Sequence, residues 1–210
     1  MKEMSLIQIA RACRGTYVGR EDRKNQEVSG VVIDSRLAAP GYLFAAVKGA
    51  RVDGHSFIPT VFAKGAAAVL CEQLPEHPAG PCILVDSTLE AIKRLAEYYR
   101  STLTIPVVGI SGSVGKTSTK EMIASILSQR YQVLKTEGNF NNEIGLPLTI
   151  FRIREEHEAA VLEMGISDFG EMTRLARMAR PTICVLTNIG LCHLENLKDR
   201  DGNLRAKTEM

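Results

Sequence analysis

The chain has 210 residues, 45% hydrophobic and 24% charged, and a net charge of +2. That balance suits a globular protein of one or two domains. With 5% aromatics and no basic stripe it argues against nucleic acid as a partner, and no apolar run approaches the roughly 18–20 residues of a membrane span.

Five cysteines (Cys13, Cys71, Cys82, Cys184, Cys192) form no Cys-x-x-Cys pair and mostly have apolar neighbours, which points to a reducing cytoplasm. The N-terminus, with Glu3 in a polar, helix-like pattern, does not read as a secretory signal. Leu6, Ile7, Ile9 and Ala10 suggest a short helix that breaks at Gly15. Strands are expected at 28–33 and 42–47, a helix at 56–64 stopped by Gly65, strands at 66–71 and 82–85, and an amphipathic helix at 88–101. Asp34-Ser35-Arg36 follows the first of these strands. With Lys48-Gly49 and Asp53-Gly54-His55 it offers a guanidinium fork, a hydroxyl and backbone N–H groups to an anion. Ordinary turn chemistry accounts for the same residues equally well. A first domain over 1–103 and a second over 104–210 are expected, with the boundary at Thr104-Ile105-Pro106.

The second domain opens on Val107-Val108-Gly109-Ile110-Ser111, a buried strand, and runs through Gly112-Ser113-Val114-Gly115 into Lys116-Thr117-Ser118. The helix that follows carries Met122, Ile123, Ile126 and Leu127 as its apolar stripe. A glycine turn that aims N–H groups at one point, a helix N-terminus, a lysine and a magnesium-holding hydroxyl are what a nucleotide phosphate requires. The usual spacing places a glycine where Ile110 stands. Beyond it come a strand at 132–135 and an amide- and glycine-rich stretch over 136–147 ahead of a helix, which suggests a binding loop, with turn and helix N-cap roles for the asparagines as the alternative. The buried strand 159–162 follows and ends in Glu163-Met164-Gly165. A helix over 168–178, a buried strand over 182–186 ending in Thr187-Asn188-Ile189-Gly190, a polar loop containing His193 and Asp201-Gly202, and a helix from Asn203 complete the pattern. The alternation argues an α/β fold with a mainly parallel sheet, whose ligands bind beyond the carboxyl ends of the strands. Glu163 there is the natural carboxylate for a nucleotide's magnesium.

Asp34-Ser35-Arg36, Asp53-Gly54-His55-Ser56-Phe57, Gly112 to Ser118, Gly138-Asn139-Phe140-Asn141-Asn142-Glu143-Ile144-Gly145-Leu146-Pro147, Glu163-Met164-Gly165 and Thr187-Asn188-Ile189-Gly190 with His193-Leu194-Glu195 together resemble the Mur ligases, MurF type. The family's loop has the form Gly-Ser/Thr-x-Gly-Lys-Thr, which accounts for Ile110. The resemblance implies a small N-terminal α/β substrate domain followed by a P-loop-type central domain. It also implies an ATP-dependent ligase that phosphorylates the terminal carboxylate of UDP-N-acetylmuramoyl-tripeptide and passes the acyl group to the amine of D-alanyl-D-alanine, in peptidoglycan precursor synthesis. By the same resemblance Gly112, Ser113, Val114, Gly115, Lys116, Thr117, Ser118 and Asn142 bind ATP, and Ser35 and Arg36 contact the UDP end of the substrate. Of two Mg2+ ions, Thr117 and Glu163 hold the first and His193 the second, which a carbamylated Lys207 supports, so that Lys116, Glu163, His193 and Lys207 form the catalytic set.

Family members continue well past the position equivalent to Met210, so the expectation is an N-terminal portion lacking the C-terminal domain, inactive alone, with an open sheet edge prone to association and a monomeric full-length parent. The alternatives are a sister ligase that adds a diamino acid, a folylpolyglutamate synthase, and a non-catalytic module that grips a UDP-sugar. A kinase or GTPase ranks last.

Overall fold

The computed structural model describes residues 1, 4–50 and 52–210, so the expectation that rested on Glu3 lies outside the described residues. The chain forms two compact units, Met1–Tyr98 and Tyr99–Met210.

The first unit begins with α1 (Leu6–Cys13), whose N-terminus is closed by a capping box in which Ser5 and Gln8 satisfy each other's backbone N–H groups. The helix ends one residue earlier than expected, at Arg14, which takes the left-handed conformation (φ 57°) and donates its N–H to Ala10 and Arg11. Gly15 serves packing instead: a Cβ there would lie 2.6 Å from Val85 Cγ1 and 2.7 Å from the Leu84 carbonyl oxygen. That close approach lets β1 (Thr16–Val18) run antiparallel to β5 (Cys82–Leu84). The other strands, β2 (Gly30–Val32), β3 (Tyr42–Ala45) and β4 (Ala68–Cys71), are parallel, giving the order β1-β5-β4-β3-β2. Short 3-10 turns at Ser35–Leu37 and Gly54–Phe57 follow aspartates, Asp34 and Asp53, that accept N–H groups two residues on. Then come α2 (Ile58–Ala63) and α3 (Thr88–Ser101), the latter with the expected bounds. Phe44, Val69, Cys71 and Cys82 pack with Ile58 and Val61 of α2 as one apolar face.

Cys13, Cys71 and Cys82 are buried in the first unit, while Cys184 is exposed and Cys192 half-buried. Burial pushes the Cys13 thiol up to about 12 from an ordinary 9.0. A thiol reagent is therefore expected to label Cys184 and Cys192 in the native protein and all five only in denaturant; rapid native labelling of Cys13 would contradict this burial. The sign of the pH effect follows. Above the ordinary thiol value the unfolded chain loses a proton that the folded chain keeps, so stability drains as the pH rises from about 9 toward 12.

The second unit holds β6 (Val107–Ser111), α4 (Lys116–Leu127), β7 (Val133–Lys135), α5 (Gly145–Ile150), β8 (Ala159–Glu163), α6 (Glu171–Ala179), β9 (Ile183–Leu186), α7 (Leu194–Leu197) and α8 (Arg200–Lys207). Its four strands are all parallel in the order β7-β8-β6-β9. β6 and β8 are buried throughout, as continuous apolar runs demand. β9 departs from expectation: paired on one side only, with β6, it leaves Ile183 and Cys184 exposed. The α4 stripe departs too. Met122 and Ile126 are 66% and 69% exposed, and the face against the sheet is Lys120, Ile123, Ala124 and Leu127. Asp201 and Gly202, expected in a loop, lie inside α8. Glycine is needed there because a Cβ would sit 1.8 Å from the Leu197 carbonyl oxygen.

Where the chain enters β6 and β9, Arg100 is 4% exposed and fastens separate pieces of chain. Its guanidinium donates to the carbonyls of Ala179 (2.8 Å), Leu103 (2.8 Å), Ile105 (3.2 Å) and Arg180 (3.1 Å). Arg180 there adopts φ 44° to close α6.

Candidate functional site

The carboxyl ends of β6 and β8 are level, because Ile110 of β6 pairs with Glu163 of β8. The loop that leaves β6 is stitched to the segment that leaves β9. Ser113 N–H donates to the Asn188 carbonyl (3.1 Å), Val114 N–H to Asn188 Oδ1 (3.0 Å), Thr187 Oγ1 to the Val114 carbonyl (2.7 Å), and Gly190 N–H to Ser113 Oγ (2.9 Å). Gly112 (φ 140°) is obligatory in this seam, since a Cβ would lie 1.9 Å from Thr187 Oγ1. Gly115 (φ 82°) then turns the chain into α4.

A cavity of about 470 Å³ opens over the start of α4, lined by Gly115, Lys116, Thr117 and Ser118, by Asn139, Asn141 and Asn142, by Glu163 and Gly165 to Ser167, and by His193. Lys116 Nζ donates to the Gly112 carbonyl (2.7 Å), folded back over its own loop. Glu163 is 2% exposed, and both of its carboxylate oxygens are held: Oε2 accepts Thr117 Oγ1 (3.0 Å) and Oε1 accepts Asn141 Nδ2 (2.8 Å). Its N–H donates to Thr136 Oγ1 (3.0 Å). His193 stands in the left-handed region at φ 50°, ahead of α7.

Lys116, Thr117, Glu163 and His193 thus line one cavity together with Gly115, Ser118 and Asn142. Gly112, Ser113 and Val114 shape the loop without lining it. Asn142 turns its Oδ1 to the N–H groups of Ile144 and Gly145 at the start of α5. It is the neighbouring Asn141 that touches Glu163, a contact that sequence spacing alone does not select. Lys207 is 2% exposed and outside the cavity lining; burial, with a smaller push from Lys116, lowers its ammonium pKa, and the Cys192 thiol beside it opposes the shift. In the first unit, Arg36 makes an ion pair with Asp34 (2.6 Å) and Lys64 Nζ donates to the Ser35 carbonyl (2.8 Å). The Arg36 guanidinium holds the Asp34 carboxyl down at about 2.

Two carboxylates that the sequence did not single out fix α8 and α6. Asp199 caps α8 by accepting Gly202 N–H (2.7 Å). Glu209 accepts the N–H groups of Gly170 and Thr173 (both 3.2 Å) at the start of α6. Asp199→Ala is expected to lower stability by about 1 kcal/mol in a thermal melt, the usual value of a lost N-cap. An unchanged melt would show that α8 does not depend on this cap.

Among the described residues no cluster of three or more histidines, cysteines or carboxylates suits a metal. The pair Thr117 and Glu163 does fit magnesium, which takes one or two protein oxygens and fills its remaining positions with water and phosphate.

Residues 110–210 match the model of the Mur ligase middle domain, and residues 27–100 match that of the Mur ligase family, catalytic domain. The UDP-N-acetylmuramoyl-tripeptide–D-alanyl-D-alanine ligase of Bacillus subtilis is 43% identical over 212 residues, covering 100% of this chain and 46% of the relative. That of Escherichia coli is 39% identical over 180 residues, covering 86% and 40%. A crystal structure of MurF from Acinetobacter baumannii superposes with a TM-score of 0.89 at 35% identity, over 98% of this chain and 45% of that one. MurF from Thermotoga maritima in complex with ADP gives 0.78 at 37%, over 86% and 42%. The chain spans about half the length of the curated relatives it matches. Two matched models of one family, and relatives above 30% identity along its whole length, make this chain a member of the Mur ligase family.

Proposed function

We propose that this chain carries the nucleotide site and the UDP-substrate domain of an ATP-dependent ligase of MurF type, which joins D-alanyl-D-alanine to UDP-N-acetylmuramoyl-tripeptide. The observation that carries it is the Thr117–Glu163 hydrogen bond (3.0 Å) at the mouth of the glycine loop, with Lys116 beside it. The chemistry is positioning and charge neutralisation. The γ-phosphoryl group of ATP passes to the tripeptide's terminal carboxylate and ADP leaves; the amine then attacks the acyl carbon, and phosphate departs as the amine sheds a proton. Magnesium, held by Thr117 and Glu163, would neutralise charge on the phosphates. Lys116 would swing from the Gly112 carbonyl to the β- and γ-phosphates, and the N–H groups at the start of α4 would face them. His193 on the cavity rim would serve a second ion. Lys207, whose amine is made easier to deprotonate by burial, suits carbamylation. Ser35 and Arg36 in the domain over 1–103 would meet the UDP end. The free cysteines suit the cytoplasm, and no helix among the described residues is long and apolar enough to cross a membrane.

A sister ligase has less support. The diaminopimelate ligase structure shares the fold at 16% identity, against 35% and 37% for the MurF structures. Calorimetric titration with Mg-ADP, and separately with the UDP-tripeptide, tests the proposal. Saturable 1:1 binding of each is expected. Binding of the UDP compound without Mg-ADP would favour a UDP-sugar-binding module, and binding of neither would overturn both readings.

A further inference from the structure

α4 carries a second lysine, one turn beyond Lys116. Lys120 lies on the face of α4 that packs on the sheet, with Ala124, and is 2% exposed. A lysine is seldom buried this far without partners, because removing an ammonium from water costs several kcal/mol or more. An apolar side chain would satisfy the packing there, so the charge needs its own explanation.

Its Nζ donates to the Thr136 carbonyl (2.8 Å) and lies 3.0 Å from Glu121 Oε1 and 4.0 Å from Glu163 Oε2. Glu121 is not reason enough for burying a cation, being exposed and already paired with Lys135. Glu163 is different. It is a buried carboxylate whose two hydrogen-bond donors, Thr117 and Asn141, are both neutral. Lys120 is the positive group beside it, and Thr136, whose carbonyl Lys120 grips, takes the Glu163 N–H on its hydroxyl. The lysine therefore acts on the carboxylate in two ways: by charge through space, and by fixing the residue to which the Glu163 backbone is bonded. From Thr136 the chain continues directly into the loop that brings Asn139, Asn141 and Asn142 to the cavity.

We propose that Lys120 is a positioning residue for the divalent-cation site: a fixed cation under Glu163 that holds the carboxylate oriented toward Thr117 and joins α4 to the root of the asparagine loop. This rests on the reading of Thr117 and Glu163 as a magnesium site. Groups that orient a ligating carboxylate from behind typically govern metal affinity by about 10–100-fold.

The test is magnesium dependence of ADP binding, followed by calorimetry at graded Mg2+ and repeated in EDTA. Lys120→Gln keeps a donor for the Thr136 carbonyl and loses the charge; Lys120→Arg keeps the charge. Lys120→Gln is expected to raise the half-saturating Mg2+ concentration about tenfold while leaving ADP binding in EDTA unchanged. Lys120→Arg should recover most of that loss, and Glu121→Gln should stay within about twofold of the parent, since exposed ion pairs contribute little. An unaltered Mg2+ requirement in Lys120→Gln overturns the proposal. So does an equal loss in Lys120→Gln and Lys120→Arg, or a loss as large in EDTA, because each marks a purely structural lysine. Absence of Mg-ADP binding by the parent chain would instead overturn the ligase reading, and the role of Lys120 with it. Circular dichroism on each variant identifies one that has not folded; if Lys120→Gln is the casualty, the Lys120→Arg comparison with the parent still decides, since a tenfold shift there contradicts a role carried by charge.

Discussion

Lys116→Met is expected to weaken Mg-ATP binding about a hundredfold without altering the melt of the protein. In the folded chain Lys116 makes one bond, to the Gly112 carbonyl, so its loss leaves little unsatisfied. In the complex the same ammonium would face two phosphates. Losing charge-assisted contacts of about 1.5 kcal/mol each removes about 3 kcal/mol, on the order of two decades in affinity. Lys116→Arg should fall between, as a guanidinium retains charge but does not fit the compact turn over Gly112. The measurement is calorimetric titration with Mg-ATP in the absence of the UDP-tripeptide, and a variant within threefold of the parent would remove Lys116 from the phosphate site.

Arg100→Ala is expected to produce the opposite pattern: a large loss of stability that begins far from the cavity. Four carbonyls, at Leu103, Ile105, Ala179 and Arg180, take their donors from this one guanidinium. Truncation strips them together, in a place where Arg100 itself is 4% exposed. Unsatisfied buried carbonyls cost about 1–3 kcal/mol each and are partly rescued by water, so a net loss of about 3 kcal/mol is reasonable. For a unit of this size that lowers the melting temperature by roughly 10 °C. Arg100→Lys should recover little, because a single ammonium cannot span four acceptors. Scanning calorimetry decides it, and a shift under about 3 °C would show that other groups hold those carbonyls.

The parallel strands were legible because each buried strand is a short apolar run with a turn signal at its end; β6 and β8 fall where Val107 to Ser111 and Ala159 to Leu162 place them. The glycine loop was legible from chemistry, since few residue patterns other than Gly-Lys-Thr at a helix start serve a phosphate. What stayed hidden involved side chains whose type misleads about direction. Met122 and Ile126 are apolar and face outward, whereas Lys120 is charged and faces inward, so the α4 stripe read from hydrophobicity is displaced. β1 is three residues beside a glycine chosen for close packing, too little for alternation to show. Within Asn141-Asn142, composition suggested a binding loop but not which amide reaches Glu163; the rise of the chain into α5 decides that by turning Asn142 toward the N–H groups of Ile144 and Gly145. β9 looked buried because its residues are apolar, yet burial also needs a second neighbour, which lies beyond what a strand's own letters encode.

The seam between the glycine loop and the segment after β9 has a thermodynamic consequence. Ser113 and Val114 already donate to Asn188, and Thr187 already holds Val114. Little ordering of this loop is left for a nucleotide to bring about, since its entropy is surrendered when the protein folds. Association should therefore resemble the docking of rigid partners: a small heat-capacity change, an on-rate free of a conformational step, and amide protons of Ser113 and Val114 that exchange slowly in the empty protein and no more slowly in the occupied one.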